Sequence, residues 1–570
     1  MSQPRDLIVC LITLGCGFSS LVSAAPAITS VQNAASNFPS VPNTPPNSGI
    51  AFGSIFVVKG SGLGPPNISI SSNPFQATTL SGTSVTITYS GGRTASGLIY
   101  YTSDGQIAAL LPSNAVNGAG TVTVTYNGET SPPAPFIVAF SSLGIFTVDS
   151  SGQGPAIVTY PDYSLVSALK SANCGGPGTT CGAANPGDTL ILWGTGLGPV
   201  PGPDATGAGL GQNIPEVALA LWIGGVQAQI LYQGRSGCCI GEDQIVFTVP
   251  DNIPTGCSVP LVGLITFPPN GGAIIPSNST VIPIAPKGSR DCTPRLQTGS
   301  GNLLQDALAG RPANFAEIDL TQPATGVSIS PLGREIIGYS DRVDFALTSL
   351  FTPAMAPFLG SFIEDHPTGT CLTYTPASNT RHNLPLINVA GLDAGTSFSI
   401  TGPNGNKSVS GNASGGFGET FSTVSVAAGD AAGTYLTPGA YRVSGTGGND
   451  VGSFTANVTV PPAAALTSPL LGNSINRADG YTVAWTGGTP GARLRILLGF
   501  NAATIECYAS AAAGTFTIPA YALYSIPPLL TGYALFVNVV TSGTFTATGL
   551  NLWVINASGP PDGRFPIDVH

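Results

Sequence analysis

Charge is the scarcest property of this sequence. Among 570 residues there are 18 Lys and Arg and 28 Asp and Glu, so charged residues make up 8 %, against about 25 % in an ordinary soluble domain. The formal net charge is −10 and no basic run occurs, which excludes the clustered cations on which nucleic-acid binding depends. Only three histidines are present, so the chain has little material for acid–base chemistry.

Long apolar runs are missing beyond the first residues. Residues 7–18 are apolar and residues 22–24 are small, a pattern typical of a secretory signal peptide, which we predict over residues 1–24. The apolar stretch is shorter than the roughly 20 residues that cross a bilayer. We therefore expect an exported chain, secreted or at the cell surface (extracellular or periplasmic), with no membrane span after signal removal. A lipid anchor at Cys16 is the alternative, which the sequence leaves open.

Glycine, proline and apolar residues are abundant instead. The chain has 75 Gly, 50 Pro, 42 % hydrophobic residues and a mean hydropathy of +0.28. Disorder needs low hydrophobicity, and a helical bundle needs few Gly and Pro, so both are excluded. Short apolar runs separated by Gly, Pro and Asn-Gly turns predict a mainly β chain of several immunoglobulin-like β-sandwiches in tandem, plus a short mixed segment.

An internal repeat organises the first half of the chain. Residues 59–65 (KGSGLGP) recur 134 positions later as residues 193–199 (WGTGLGP), each after a short alternating strand pattern, at residues 54–58 and 188–192. Both copies then run through matching strands, and the second inserts six residues that hold Cys238 and Cys239. Alternating glycines permit positive φ and close backbone approach, so we expect Leu63 and Leu197 to point inward. The alternative, a phosphate-binding loop, lacks the G-x-x-G spacing and a following helix.

These motifs resemble IPT/TIG-type immunoglobulin-like domains. More narrowly, the tandem pair is similar to a repeat family of uncharacterised secreted bacterial proteins, in which G-I-F-T and G-x-G-x-A segments join the copies. Here residues 144–147 read GIFT and residues 152–156 read GQGPA. The resemblance covers about residues 45–290. It implies an immunoglobulin-like sandwich fold, export and no assigned catalytic residue.

The pattern changes beyond residue 286 and becomes β-like again near residue 386. We predict the following units: a signal peptide at 1–24, an IPT/TIG-like sandwich at 25–140, a connecting segment at 141–184, a second such sandwich at 185–285, a mixed segment at 286–380 with one short helix at 302–309, and sandwich-like domains at 381–460 and 466–558.

Eight cysteines follow the signal segment. An even number in an exported protein favours disulfides, and the candidates are Cys174, Cys181, Cys238, Cys239, Cys257, Cys292, Cys371 and Cys507. Cys174 and Cys181 flank a Gly-rich loop, residues 175–180, that is flexible enough for the two to form a disulfide. The sequence does not specify how the other six cysteines pair. Zinc at Cys238, Cys239, Cys257 and Cys292 is the competing interpretation, but the C-x₂-C spacing is missing. We predict no cofactor. Calcium stays open, although no D-x-D-x-D-G loop occurs.

Candidates for an active site are few. The sequence has no G-x-S-x-G and no H-E-x-x-H motif. His366 and His382 fall in polar stretches that we expect to be exposed loops. The carboxylate pairs are residues 242–243, residues 341 and 344, and residues 364–365, and adjacent strand residues point to opposite faces. We predict that the chain is not an enzyme. A hydrolase with its site in residues 291–380, using His366 and Asp344, is the weaker alternative.

Recognition is the remaining class of function. We expect an exported, non-enzymatic protein for adhesion, matrix contact or protein–protein recognition, with a surface protein or a glycan as partner. The alternative is a carbohydrate-binding accessory protein, because aromatic side chains can stack on sugars. The aromatic candidates are Trp193, Trp222, Trp485, Trp553, Tyr100 and Tyr101, for which packing in the core or on a sheet face is the competing interpretation.

Overall fold

We analysed a computed structural model of the chain. The residues that it describes are 25–41, 48–72, 75–168, 182–202, 204, 211–268, 272–292, 297–298, 313–322, 324–330, 333–339, 341–350, 358, 361, 365–374, 389–410, 422–425, 435–469, 474–500, 503–527, 533–543 and 545–569. The predicted signal peptide with Cys16, the helix at 302–309, Cys174, Cys181, Glu364 and His382 lie outside them. Within these ranges, no helix has the length and apolarity to span a bilayer.

Two facing sheets form the first sandwich. Its strands are β1 (Ala27–Asn33), β2 (Ile50–Ala51), β3 (Ile55–Ser61), β4 (Ser69–Ile70), β5 (Thr79–Leu80), β6 (Thr83–Tyr89), β7 (Thr94–Ser96), β8 (Leu98–Thr102), β9 (Gln106–Leu110), β10 (Gly118–Tyr126), β11 (Glu129–Thr130) and β12 (Ala134–Ala139). One sheet has the order β1-β3-β9-β8-β4 and the other β2-β12-β10-β6-β5, with β7 on β6 and β11 on β10. Phe56, Ile87 and Phe136 are among the fully buried side chains of the core between them.

The second sandwich repeats this strand order. Its strands are β13 (Gly144–Ile145), β14 (Val158–Thr159), β15 (Thr189–Thr195), β16 (Ala218–Ile223), β17 (Val226–Gln227), β18 (Gln229–Arg235), β19 (Asp243–Thr248), β20 (Gly256–Phe267), β21 (Ala273–Pro276) and β22 (Thr280–Ile284). The order β13-β15-β19-β18 matches β1-β3-β9-β8 of the first sandwich, and the pair β16-β20 matches β6-β10. The two short strands β13 and β14 come from the predicted connecting segment and pair with β15.

The G-x-G-L-G-P turn has the expected structure in both copies. Leu63 and Leu197 are both 0 % exposed and belong to the cores of their sandwiches. In the second copy, Gly196 has φ +107°, and a Cβ there would lie 2.2 Å from the Ser142 carbonyl oxygen. Because no other residue tolerates both the dihedral and that contact, the glycine allows the leucine to turn inward. The prediction of inward leucines is confirmed.

The C-terminal half contains the remaining elements. They are β23 (Gln297–Thr298), β24 (Ala313–Thr321), β25 (Ala324–Ser330), β26 (Gly333–Tyr339), β27 (Arg342–Leu350), β28 (Cys371–Tyr374), β29 (Val389–Gly391), β30 (Ser397–Gly402), β31 (Gly405–Ser410), β32 (Ser422–Ser425), β33 (Gly439–Gly445), β34 (Phe454–Val460), β35 (Ala465–Ser468), β36 (Ser474–Ile475), β37 (Tyr481–Thr486), β38 (Arg493–Phe500), β39 (Ala503–Ser510), a 3₁₀ turn (Ala511–Ala513), β40 (Thr515–Ile518), α1 (Ala520–Leu523), β41 (Tyr533–Gly543), β42 (Leu552–Ser558) and β43 (Asp562–Val569).

Among the described residues of this half, two apolar cores pack the strands together. In the first, side chains of β24, β27 and β42 pack against those of β30, β33 and β34, with Phe345 and Phe398 4.6 Å apart between ring centroids. The second is built by β37 to β41. Strand β24, from the predicted mixed segment, pairs in parallel with β42, from the predicted C-terminal domain. This pairing joins residues of the units predicted at 286–380 and 466–558. The boundaries of the predicted units remain predictions.

Sheets therefore account for nearly all the regular structure that is described, and the prediction of a mainly β chain of tandem immunoglobulin-like sandwiches is confirmed. The second sandwich also packs on the C-terminal half. Trp222 stacks on Tyr521 with 5.2 Å between ring centroids, and Val262 and Leu264 join the core built by β37 to β41.

The equivalence of the two turns is testable. We expect Leu63→Ala and Leu197→Ala each to lower the free energy of unfolding by about 2–5 kcal/mol, because each leaves a cavity in a closed core. Leu231→Ala is the matched control, since Leu231 is 53 % exposed and its truncation opens no cavity. Chemical denaturation measures all three. A loss at either turn no larger than that of the control contradicts the inward position of the leucine.

Candidate binding groove between the repeats

The first sandwich carries a second apolar surface on the outside of its sheet. All four residues of the run Ile55 to Val58 are buried. Phe56 and Val58 face the core, whereas Ile55 and Val57 face outward. The outward side chains form a separate set, which we name the outer-face cluster: Ile55, Val57, Leu98, Ala108, Leu110 and, from the second copy, Ile240. A strand that is buried on both faces has apolar residues at consecutive positions rather than at alternate ones. Residues 55–58 show this pattern.

The second copy covers part of the outer-face cluster with its insertion. The loop between β18 and β19, residues 236–242, is the insertion loop. Its Ile240 is 3 % exposed, and Tyr100 of the first copy donates a hydrogen bond to the Ile240 carbonyl. At Gly241, with φ +75°, a Cβ would lie 2.1 Å from Leu110 Cδ1. Glycine suits this positive φ and leaves room for the Leu110 side chain beside the loop.

Buried hydrogen bonds fix the two copies relative to each other. The Ile55 N–H donates to Thr195 Oγ1 at 2.9 Å, and that hydroxyl donates to the Gly241 carbonyl at 2.6 Å. The Asp204 carboxylate accepts from the Ser113 N–H at 2.7 Å and from its hydroxyl at 2.8 Å. Buried polar groups that lose such partners cost about 1–3 kcal/mol each, so these bonds select one arrangement of the copies.

An ion pair supports the insertion loop from inside the second copy. Arg235 and Asp243, at the two ends of the loop, are 1 % and 0 % exposed and are hydrogen-bonded to each other. Asp243 also accepts from the Leu197 N–H at 2.7 Å, and Arg235 donates to the Gly198 carbonyl at 3.0 Å. Burial raises the pKa of Asp243 to about 6, while Arg235 and the N–H groups of residues 196 and 197 oppose that rise. The pair ties the loop to the G-x-G-L-G turn.

A groove of about 540 Å³ remains between the uncovered part of the outer-face cluster and the segment that joins the copies. Val57 and Ala108 line it from the sheet. The aromatic residues that line it are Phe75, Tyr100, Tyr101 and Phe146, and the polar ones include Gln32, Asn37, Lys59, Gln106 and Glu242. Phe75 stacks on Tyr100 with 4.2 Å between ring centroids. This volume lies within the range of about 300–1,000 Å³ that small-molecule sites occupy.

The polar side chains of the groove are held by one another. Gln32, 6 % exposed, donates to Asn37 Oδ1 at 2.7 Å, and Asn37 donates to the Ser150 carbonyl at 2.7 Å. Gln106 donates to the Tyr101 hydroxyl. Burial raises the pKa of the Glu242 carboxyl, opposed by a hydrogen bond from Ser236, and burial also raises the pKa of Tyr100. The groove is therefore ordered by its own hydrogen bonds before any ligand is present.

A disulfide between adjacent residues lies at the groove. Cys238 is bonded to Cys239, Cys239 lines the groove, and Glu242 Oε2 is 3.3 Å from Cys238 Sγ. The other two bonds of the described chain join Cys257 to Cys292 and Cys371 to Cys507. A disulfide sulfur lacks the thiolate that binds metal, so these pairings contradict the zinc interpretation. The predicted disulfides at Cys174 and Cys181 lie outside the described residues.

His366 is not the exposed loop residue that we expected. It is 2 % exposed, with Nδ1 2.7 Å from Thr370 Oγ1 and its ring 4.9 Å from that of Tyr508 between centroids. Its neighbour Asp365 forms an ion pair with Arg493. The prediction was wrong because residues 365–370 lead into β28, which pairs with β39 and is buried there. His382 lies outside the described residues.

The candidate carboxylates are likewise bonded within the fold. Asp341, 3 % exposed, accepts from Gln322 at 2.8 Å and from the Tyr435 N–H at 2.6 Å. Asp344 accepts from Arg342 at 2.8 Å, and burial raises its pKa. Glu242 lines the groove while Asp243 is buried against Arg235, so the expectation that they point to opposite sides is confirmed.

The tryptophans fit the packing interpretation. Trp485 and Trp553 are 3 % and 5 % exposed, Trp222 packs on the C-terminal half, and Trp193 Nε1 donates to Thr159 at 3.0 Å. Of the aromatic candidates, Tyr100 and Tyr101 line the groove. Sequence reasoning missed Phe75 and Phe146, and also missed the groove itself. The sequence signal for the groove is the run of four apolar residues at the start of β3. A strand with one exposed face has polar residues at alternate positions, so this run indicates that both faces are covered.

Comparison with known proteins gives no family assignment. No family model matches the chain, and no curated protein matches it. Among solved structures, the chain is similar to a tetra-tandem repeat from the extending region of a large adhesion protein (12 % identity, 94 % of this chain and 99 % of that one, TM-score 0.13). It is also similar to Sidekick-1 immunoglobulin domains 1–5, with 11 % identity over 95 % of this chain and 81 % of that one and a TM-score of 0.14. A third similar structure is Bacteroides ovatus SGBP-B in complex with a mixed-linkage heptasaccharide, with 11 % identity over 94 % of this chain and 97 % of that one and a TM-score of 0.13. Likenesses at such TM-scores carry no argument.

The exposure of the cysteines predicts their order of reaction. Cys238 is exposed and Cys239 partly so, whereas Cys257, Cys292, Cys371 and Cys507 are at most 2 % exposed. We expect a mild thiol reductant followed by alkylation to label Cys238 and Cys239 first, as read by peptide mass spectrometry. Thermal stability should change little at that stage, because a bond between adjacent residues closes almost no loop. Earlier labelling of any of the four buried cysteines contradicts this order.

Proposed function

We propose that this chain is an exported, non-enzymatic recognition protein of the cell surface or extracellular space, which binds its partner non-covalently in the groove between its two N-terminal sandwiches. The observation that carries the proposal is the groove itself, which is concave, lined by aromatic and polar side chains, and held by buried hydrogen bonds between the copies. A ligand entering such a preformed site loses little binding free energy to reordering the protein.

The disulfides support export of the chain. Disulfides persist in oxidising compartments and are rare in the cytosol, and three are formed among the described residues. The strand order repeated in the two sandwiches agrees with the IPT/TIG-type resemblance, and we propose membership of that group for the sandwiches predicted at 25–140 and 185–285.

The hydrolase alternative in residues 291–380 has weaker support. Its two candidates, His366 and Asp344, are hydrogen-bonded to neighbouring groups of the fold, and His366 is buried. A recognition role needs no such acid–base groups and agrees with a chain in which 8 % of residues are charged. The absence of catalytic activity remains part of the proposal.

Filling the groove tests this function. Ala108 lies on the sheet side of the groove, so Ala108→Trp places an indole where the partner would bind. We expect the labelled full-length variant to bind envelopes of the producing cells at least about tenfold more weakly than the unaltered chain, a loss of about 1.4 kcal/mol. Saturation binding measures the affinity, and thermal unfolding reports whether the variant is folded.

Val246→Trp is the matched control. Val246 is the β19 counterpart of Ala108 in the second copy and is partly exposed, but it does not line the groove. It should bind envelopes as the unaltered chain does. Tyr101→Ala supplies a second groove variant that removes volume rather than adding it. If both groove variants are folded and bind as strongly as the control, the groove is not the recognition site.

A further inference from the structure

We infer that the groove binds a neutral saccharide, a short glycan or the end of a longer one, with a sugar ring against the aromatic residues and its hydroxyls on the side-chain amides. The inference rests on the proposed function and names the ligand class of the same site. It starts from three properties of the lining: apolar flat surfaces, planar polar groups and balanced charge.

The apolar part of the groove suits the CH-bearing face of a sugar ring. Phe75, Tyr101 and Phe146 are each partly exposed and line the groove together with Val57 and Ala108. Aromatic rings bury large apolar areas and prefer flat or edge contacts. The stack of Phe75 on Tyr100, and the bond from Tyr100 to the insertion loop, hold this wall in place.

The polar part of the groove suits hydroxyl groups. A side-chain amide offers two N–H donors and a carbonyl acceptor. The bond from Gln32 to Asn37, that from Asn37 to the Ser150 carbonyl and that from Gln106 to Tyr101 use part of this capacity. A hydroxyl is both donor and acceptor, so it fits amides whose remaining groups are of both kinds. The same internal bonds fix the amide positions, which gives specificity to a ligand with several hydroxyls.

Charge argues against an anionic ligand. One cation, Lys59, and one carboxylate, Glu242, line the groove, and they leave no net charge there. Sites for phosphate or carboxylate ligands gather several cations or a helix N-terminus, whereas Lys59 is the single cation among the described lining residues and a carboxylate accompanies it. A neutral polyhydroxyl compound needs no such compensation.

Shape argues against an extended peptide. A peptide commonly adds to the exposed edge of a sheet through backbone hydrogen bonds, but this groove lies over the face of β3 and β9, whose backbone groups are paired with each other and with β1 and β8. A folded protein partner buries about 800 Å² on each side, in a contact of roughly 20–30 residues, whereas this concave groove of about 540 Å³ has the size of a small-molecule site. A protein partner is therefore the outcome that the test must be able to reveal.

The test uses the full chain on an array of neutral oligosaccharides, with acidic oligosaccharides on the same surface. We expect binding to a subset of neutral glycans, confirmed by calorimetric titration with the best soluble one. Tyr101→Ala and Gln106→Ala should each weaken that binding by about tenfold. Tyr163→Ala is the control, because Tyr163 is 67 % exposed and does not line the groove, and it should bind normally.

Several results overturn the inference. They are absence of binding to all neutral glycans by the folded chain, binding confined to acidic glycans, and glycan binding that neither groove variant weakens. If neutral glycans fail while Ala108→Trp still abolishes envelope binding, the proposed function stands and its partner is a protein. If envelope binding is insensitive to Ala108→Trp but glycan binding depends on Tyr101, the saccharide site stands and the proposed function is wrong.

Discussion

The docking of one loop onto the outside of a neighbouring sheet is the contact on which the N-terminal half depends. Ile240 of the second copy enters an apolar surface of the first, and Gly241 lets the loop backbone approach Leu110. The apolar surface would otherwise face water at a cost of about 25 cal/mol for each Å². Because the loop covers only part of that surface, the contact both joins the sandwiches and leaves a groove beside the joint.

The two copies have one strand order but different roles. In the first copy, the Leu63 N–H donates to the Asp104 carbonyl at 2.9 Å, whereas in the second the Leu197 N–H donates to the Asp243 carboxylate, which Arg235 neutralises. The Arg235–Asp243 ion pair of the second copy flanks a longer loop, which contains Ile240 and the Cys238–Cys239 disulfide. A small insertion has thus converted one repeat into the partner that covers the other.

The sequence predicted what depends on local pattern. The turn leucines and the mainly β fold follow from glycine spacing and strand alternation, and the structure agrees. Glu242 and Asp243 do lie on different sides, but Glu242 is in the insertion loop and only Asp243 belongs to β19, so strand alternation is not the cause. His366 was misjudged because nearby Pro and Gly indicate a turn but not what covers it. The groove was missed because the alternating pattern of residues 54–58 predicts a strand with one exposed face, whereas Ile55 and Val57 are buried as well. The parallel pairing of β24 with β42 joins residues more than 200 positions apart, and no local signal specifies such a pairing.

Amide hydrogen exchange at Ile55 tests the central claim most directly. Its N–H donates to Thr195 Oγ1 across the two copies, whereas the N–H groups of β6 and β10 pair within the first sandwich. In Gly241→Val, the added side chain prevents the loop from docking. The account predicts that Ile55 loses protection in this variant while β6 and β10 keep theirs. Unchanged protection at Ile55 in the folded variant would contradict the claim that the docked loop holds the two sandwiches and their groove together.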